Sequence, residues 1–376
     1  MDKKILIAPN SFKEVADADK VAELLSKYLK KLTSAEFIMS PISDGGDGFL
    51  NVCKSHFNLE ILNYKIKTPF DESTFNCEVG FDKKQRRIFI ESARVLGLKV
   101  IPKEKRHPLI LSSKGMGDLL IQLKNNVEEK KLIVDEIFIG IGGTGTNDLG
   151  LGMCSQLGLE LFDLYDNRKQ VLPEYFYRTK KIYWRSIELP FKIKIIIDVD
   201  IPLLGEMGTT KIFGPQKGLS KGEINVIELG FGKIINLLKN ILLEKSFNNL
   251  FGAGGGLAAG FYLFLNSDII FAKEFIENIL CLKESLNNID VVITGEGIYD
   301  EQSTNGKGAG IIIDLATRNF KKVILCCGQI EDEIKNKLHR GIEVVELVSL
   351  FDSTAESINN FEKGIEMACK KIATII

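Results

Sequence analysis

The chain offers little of what usually marks a metal, redox or nucleic-acid protein. Its three histidines (56, 107, 339) have no metal spacing, and its seven cysteines (53, 77, 154, 281, 326, 327, 369) include no C-x-x-C pair. An odd, scattered set of thiols argues against a disulfide frame or a zinc site and for reduced cysteines, mostly in the core. Charge of either sign is not in excess: 49 lysines and arginines stand against 50 acids, a net of -1. That gives no electrostatic footprint for nucleic acid or an anionic membrane surface. Long apolar runs are missing as well. The longest uncharged apolar stretch, residues 250–265, is broken by five glycines and falls short of the roughly 18 residues that suggest a membrane span. It reads as a glycine turn entering a buried helix. The opening Met1-Asp-Lys-Lys-Ile-Leu-Ile-Ala-Pro9 has neither the apolar core nor the cleavage site of a signal peptide, so the expected location is the cytoplasm.

What is present is α/β alternation and glycine. A length of 376 residues suggests two domains at a prior of about 150 residues each. Near the start, Lys4–Ala8 reads as a strand, residues 19–32 as an amphipathic helix, and Phe37–Met39 as a second strand. Near the end, Asp290–Thr294, Val323–Cys327 and Val344–Leu347 are apolar runs separated by helical patterns. Fully apolar strands suit a parallel sheet covered on both faces. The middle differs: residues 68–89 alternate polar and apolar, and Ile193–Asp198 is one strong strand. The expected layout is an α/β domain built from residues 1–67 and 287–376, with a mixed α/β domain inserted at 68–286.

Glycine loops and strand-end acids carry the candidate chemistry. Gly140-Ile-Gly142-Gly-Thr-Gly145 follows an apolar strand as a dinucleotide turn does, and Glu160 or Asp163 sits where a ribose-binding acid would stand. Asn147 and Asp148 directly after it favour a phosphate loop with magnesium, because a carboxylate beside phosphates needs a cation between them. A structural glycine turn is the plain alternative. Asp44-Gly-Gly-Asp47-Gly48 ends another strand and in isolation reads as a surface turn, and Asp198 and Asp200 close the strand of isoleucines. Lys217 in Phe213-Gly-Pro-Gln-Lys-Gly218 and Lys307 in Gly306-Lys-Gly308 are each flanked by glycine. Neither lies in a P-loop. Two such lysines with several strand-end acids point to a site for a polyanion and a cation.

Together these stretches resemble the type I glycerate kinase family. The matching blocks are Ala8-Pro-Asn-Ser-Phe-Lys13, residues 41–48, Gly140–Asp148, Phe213–Gly218, Gly252-Ala-Gly-Gly-Gly256, and Ile293-Thr-Gly-Glu-Gly297 with Asp300, Gln302 and Lys307. They keep the family's order across nearly the whole chain. The resemblance implies a flavodoxin-like three-layer domain with an inserted second domain, and ATP- and Mg2+-dependent phosphorylation of D-glycerate, usually at the 2-hydroxyl. The chain departs from the family pattern at Asn10, Phe49, Arg94, Gly145 and Ile298.

Phosphoryl transfer needs positioning and charge neutralisation, and the roles follow from that chemistry. Backbone amides of Gly142, Gly143, Thr144 and Thr146, with Asn147, are expected to hold phosphate oxygens, and Asp148 to hold magnesium. Lys217 and Lys307 offset phosphate charge, and Lys13 holds phosphate or the acceptor carboxylate. Asp198 is the first choice for the base and a second magnesium ligand, with Asp44 and Glu296 as rival bases. Two other functions remain open at this stage: a nicotinamide-dependent oxidoreductase, and a non-catalytic ligand-binding protein on a kinase scaffold. Oligomeric state is not encoded in any of these patterns.

Overall fold

The structure, a computed structural model, describes residues 3–198, 200–338 and 341–376; His339 lies outside them. The chain divides into two compact units, one of Met1–Asn58 and Ala272–Ile376 and the other of Leu59–Phe271.

In the first unit five parallel strands lie in the order Ile342–Glu346, Lys322–Cys327, Val291–Thr294, Lys4–Ile7, Glu36–Met39. Numbered along the chain within the unit this is 2-1-3-4-5, the flavodoxin-like order. The run Ile5-Leu6-Ile7 is buried throughout because strand side chains alternate between two covered faces. Ile5 and Ile7 pack with Val21 and Leu25 of helix Ala18–Leu29 and with Ile365 and Ile372 of helix Phe361–Ile375. Helix Ala309–Arg318 packs on strands Val291–Thr294 and Lys322–Cys327.

The second unit holds a mixed six-stranded sheet ordered Asp268–Phe271, Lys192–Ile197, Glu136–Gly140, Arg87–Glu91, Thr74–Asp82, Glu60–Lys67. The first four strands are parallel and the last two join as antiparallel neighbours. Ile193 faces Ile137 and Ile195 faces Ile139 across the central pair, and these side chains share a core with Phe231, Ile234 and Leu119. Full burial of each such side chain stabilises by about 1.5–3 kcal/mol relative to exposure, so one aspartate at position 195 would break the sheet's centre. Helix Leu257–Leu265 is buried along nearly its whole length, as the glycine-rich run suggested. No helix among the described residues is long and apolar enough to cross a membrane.

Both unit boundaries fall earlier in the chain than the expected 67/68 and 286/287. Strand Glu60–Lys67 pairs residue for residue with Thr74–Asp82, which carries it into the second unit. On the return, Phe275 is fully buried and packs against Phe49, ring centroids 5.3 Å apart, which draws residues from 272 onward into the first. The cysteines are free thiols; six are buried and Cys281 is exposed.

Candidate functional site

Open parallel sheets bind ligands outside the carboxyl ends of their strands, and each unit gathers sequence-predicted residues at such an edge. In the second unit three glycine-bearing segments converge. The loop after strand Glu136–Gly140 continues the ladder through Ile141, whose amide donates to Ile196 O at 2.8 Å. The glycine run 252–256 is tied to the segment after Asp198 by Gly252 N to Ile201 O at 2.7 Å and Leu203 N to Leu250 O at 2.8 Å. It also abuts the phosphate-loop candidate: a Cβ on Gly255, whose φ is +67°, would lie 2.2 Å from Thr146 O. Only glycine allows that approach.

Within this convergence Lys217 Nζ donates to Thr146 O at 2.8 Å. Burial draws the Lys217 ammonium down to about 8, against the opposing pull of the Asp148 charge. Asn147 Nδ2 donates to Thr210 Oγ1 at 3.2 Å. The hydroxyls of Thr146 and Thr209 are buried without a partner. Asp198 follows the end of strand Lys192–Ile197, half-buried, at the same sheet edge.

Two expectations are corrected here. Asp148 is fully buried, and its Oδ2 accepts from Ser113 N at 2.7 Å, Ser113 Oγ at 2.8 Å and Gly152 N at 3.1 Å, while Oδ1 accepts from Gly150 N at 3.1 Å. Burial raises its pKa and these donors hold it down. With both oxygens engaged inside the protein, it anchors the loop to the start of helix Lys114–Glu128 and presents no face to magnesium. Gly142 is likewise engaged: its amide donates to Ser92 Oγ at 3.2 Å and its carbonyl accepts from the same hydroxyl at 3.0 Å. Gly145 N donates to Leu96 O, and Thr146 and Asn147 are buried. The loop's exposed point is Gly143, φ +63°, next to Thr144. The dinucleotide reading fails on the same geometry. No helix opens at Gly145, and the following helix, Leu151–Gln156, begins only after Gly150, so the pyrophosphate would have no helix N-terminus to sit on.

The first unit brings Asn10, Asp44 and Glu296 to one edge. Hydrogen bonds extend the pairing of strands Lys4–Ile7 and Val291–Thr294 beyond their ends, from Ala8 N to Ile293 O and from Asn10 N to Gly295 O, both 2.8 Å. Ile42 N to Pro9 O at 2.9 Å sets the neighbouring loop that carries Asp44. Glu296 Oε1 is buried and has no hydrogen-bond partner. Burial raises its pKa to about 7; Asp44 and Asp300 push it further up, while hydrogen bonds from Ser303 and from the Ala309 amide oppose the rise. Gly308, φ +47°, lies hard against it: a Cβ there would fall 2.3 Å from Glu296 Oε2 and 2.9 Å from Asn10 Nδ2. Lys13 is exposed. Lys307 Nζ donates to Gln302 Oε1 at 2.8 Å, so this lysine belongs to the Glu296 unit and not to the unit of the 142–147 loop. Sequence patterns did not single out Ser92, Ser113, Thr210 or Ser303, which tie the loops together; only Ser113 carried a signal, as a serine opening a helix in Ser112-Ser-Lys-Gly.

Two α/β units with acids after strand ends and glycine-flanked lysines in loops after short helices are the equipment of a small-molecule phosphotransferase. Comparison with known proteins gives the family: the glycerate kinase family model matches residues 5–376, and the chain belongs to that family. It is 31% identical over 348 residues to glycerate 2-kinase of Escherichia coli K12, covering 91% of this chain and 89% of that one. It is also 31% identical to a glycerate kinase of Halalkalibacterium halodurans, covering 99% and 97%. A crystal structure from Salmonella typhimurium LT2, assigned as glycerate kinase 2, superposes with a TM-score of 0.78 at 27% identity, over 99% of this chain and 98% of that one.

Proposed function

We propose that the protein transfers the γ-phosphoryl group of ATP to the 2-hydroxyl of D-glycerate, giving 2-phosphoglycerate and ADP. One observation carries the reading most: a buried carboxylate, Glu296, with an unpartnered oxygen and a pKa raised to about 7. A base poised near the working pH is what proton removal from an acceptor hydroxyl needs. Glu296 takes that proton, the hydroxyl oxygen bonds to the γ-phosphorus, and the bond from phosphorus to the β,γ-bridging oxygen breaks to release ADP. Glu296 therefore replaces Asp198 as the preferred base. Asp44 and Lys13 serve the acceptor, Asp44 by keeping Glu296 proton-hungry and Lys13 by attracting the glycerate carboxylate.

For the donor, the amides of Gly143 and Thr144 and the Lys217 ammonium receive phosphate oxygens. Lys217 is already desolvated, so a polyphosphate meets its charge in a setting where the attraction is strong. Lys307, next to Gly308, adds positive charge on the Glu296 side. Magnesium, when bound, neutralises charge on the phosphates. Among the described residues no group of three or more ligating side chains is spaced to cage a metal, which suits an ion carried by the nucleotide and held by one or two carboxylates; Asp198 is the carboxylate that would hold it. The protein is expected to work in the cytoplasm.

Purified protein with ATP, magnesium and D-glycerate should release ADP and form 2-phosphoglycerate, distinguished from the 3-isomer by its phosphorus–proton coupling in 31P NMR. Formation of 3-phosphoglycerate alone would overturn the regiochemistry. Tight ATP binding with no turnover of any hydroxy acid would overturn the activity.

A further inference from the structure

We propose that the second unit carries a separate binding site for a small monocarboxylic acid with an apolar body, in the pocket where Lys67 and Lys114 share the Glu72 carboxylate. The pocket, about 580 Å3, lies between residues 69–72, the start of helix Lys114–Glu128 and residues 168–172. That is the size of a small-molecule site. Phe70, Leu159, Val171 and Leu172 give it an apolar wall, and Glu72, Lys114 and Gln156 its polar part. None of them takes part in the phosphoryl transfer.

Backbone packing sets the two lysines side by side. Lys67 closes strand Glu60–Lys67 and Lys114 opens the helix, and a Cβ on Gly115 would lie 2.4 Å from Lys67 O, so the helix start sits directly on the strand end. Lys67 N donates to Asp118 Oδ2 at 3.1 Å and fixes the same contact one turn further along. Both ammonium groups then meet one carboxylate: Glu72 Oε1 lies 2.7 Å from Lys114 Nζ, and Glu72 Oε2 lies 3.3 Å from Lys67 Nζ. The burial is lopsided. The Lys114 side chain is 13% exposed and that of Glu72 75%, so the cation belongs to the pocket and the anion reaches in from solvent. Lys67 Nζ also donates to Gln156 Oε1 at 3.0 Å, a neutral acceptor that holds the ammonium without neutralising it.

An exposed carboxylate gains little from such a pairing, because water competes for it at nearly equal strength. A free acid whose apolar body fills the pocket adds burial to the same two contacts and so displaces Glu72. The other charges of the lining are already matched: Asp71 by Lys105 at 2.9 Å, Arg168 by Glu160 at 3.0 Å and Lys169 by Asp163 at 2.7 Å. The lysine pair, two cations on one acid, is the unbalanced point. The class of ligand follows from the group seated there, a carboxylate spanning two ammonium groups.

Benzoate is the probe and benzyl alcohol its uncharged counterpart, each titrated into full-length protein carrying 13C-labelled leucine and valine methyl groups, with D-glycerate present in excess to occupy the acceptor site. Benzoate should shift the Leu159, Val171 and Leu172 methyl signals, assigned by single substitutions, and raise the melting temperature. Benzyl alcohol should do neither at the same concentration. Lys67→Met should weaken benzoate binding about tenfold, the scale of one hydrogen bond to a charge. Glu72→Gln removes the competing carboxylate and should tighten binding several-fold, a gain that a poorly folded variant cannot mimic. Methyl signals unmoved by benzoate, equal binding of benzyl alcohol, or a Glu72→Gln protein that binds benzoate no more tightly overturns the proposal. A loss of glycerate turnover in Lys67→Met that matches its loss of benzoate binding would put the pocket in the acceptor site and overturn its separateness.

Discussion

Asp148 in the second unit and Glu296 in the first each put a buried carboxylate oxygen beside a glycine loop, and the two are used in opposite ways. Asp148 receives four hydrogen bonds from three residues, whereas Glu296 keeps one oxygen with none. A buried carboxylate with its donors supplied is a structural joint: it is costly to remove and, closed off from solvent, offers no oxygen to a ligand. A buried carboxylate left short of donors is costly to keep, and a fold retains that cost where the missing partner is a substrate. Position in a glycine-bearing loop after a parallel strand, which the two share, does not separate anchor from base; the count of donors does.

The contrast is most open to attack at Glu296. Glu296→Gln keeps the shape but cannot accept a proton, and kcat should drop on the order of 10²–10⁴-fold with the fold intact by circular dichroism. In the wild type, kcat/KM should rise with pH through about 7, as the base form appears. Asp148→Ala should do the reverse. It leaves the amides of Ser113, Gly150 and Gly152 buried without an acceptor, and about 3–5 kcal/mol of stability should be lost in denaturant titration. A stable but inactive Asp148→Ala protein would erase the distinction.

A smaller effect follows from proton linkage. Glu296 binds its proton more tightly folded than unfolded, so the stability it contributes is complete below the ordinary carboxylate pKa of 4.5 and is lost as pH rises through about 7. Glu296→Gln should therefore be more stable than wild type at pH 8 by about 2–3 kcal/mol, with the difference shrinking toward pH 5. Equal melting temperatures at pH 8 would mean that Glu296 is already satisfied. Smallest of all, Asp198→Asn should raise the magnesium concentration for half-maximal rate by about tenfold, leaving the rate at saturating magnesium within a few-fold of wild type.

Much of the fold was legible because apolar strands and amphipathic helices announce themselves over four to a dozen residues. The runs at Lys4–Ile7, Val291–Thr294 and Lys322–Cys327 are strands as expected. Strand Glu60–Lys67 was passed over because it mixes lysine, asparagine and glutamate with its isoleucines; its buried positions, Tyr64 and Ile66, alternate, and that alternation was the available signal. At the site, the sequence brought forward the right loops, and the roles within them were harder to see. Asp148 looked like a metal ligand because its partner Ser113 lies 35 residues upstream, and no local pattern reports a donor that far away. Glu296 stood only as a rival base, since its want of donors exists only once Asn10, Gly308 and Ala309 are folded around it.

The distribution of thiols makes the molecule a convenient object for spectroscopy. Burial pushes the Cys77, Cys327 and Cys369 thiols up to about 12 and those of Cys154 and Cys326 well above the ordinary range, so almost none of their thiolate exists at neutral pH. Thiolate is the form that maleimides and iodoacetamides attack. Cys281, exposed at the start of the short helix Leu282–Ser285, is thus the natural attachment point for a single fluorophore or spin label on the first unit, without removing any other cysteine.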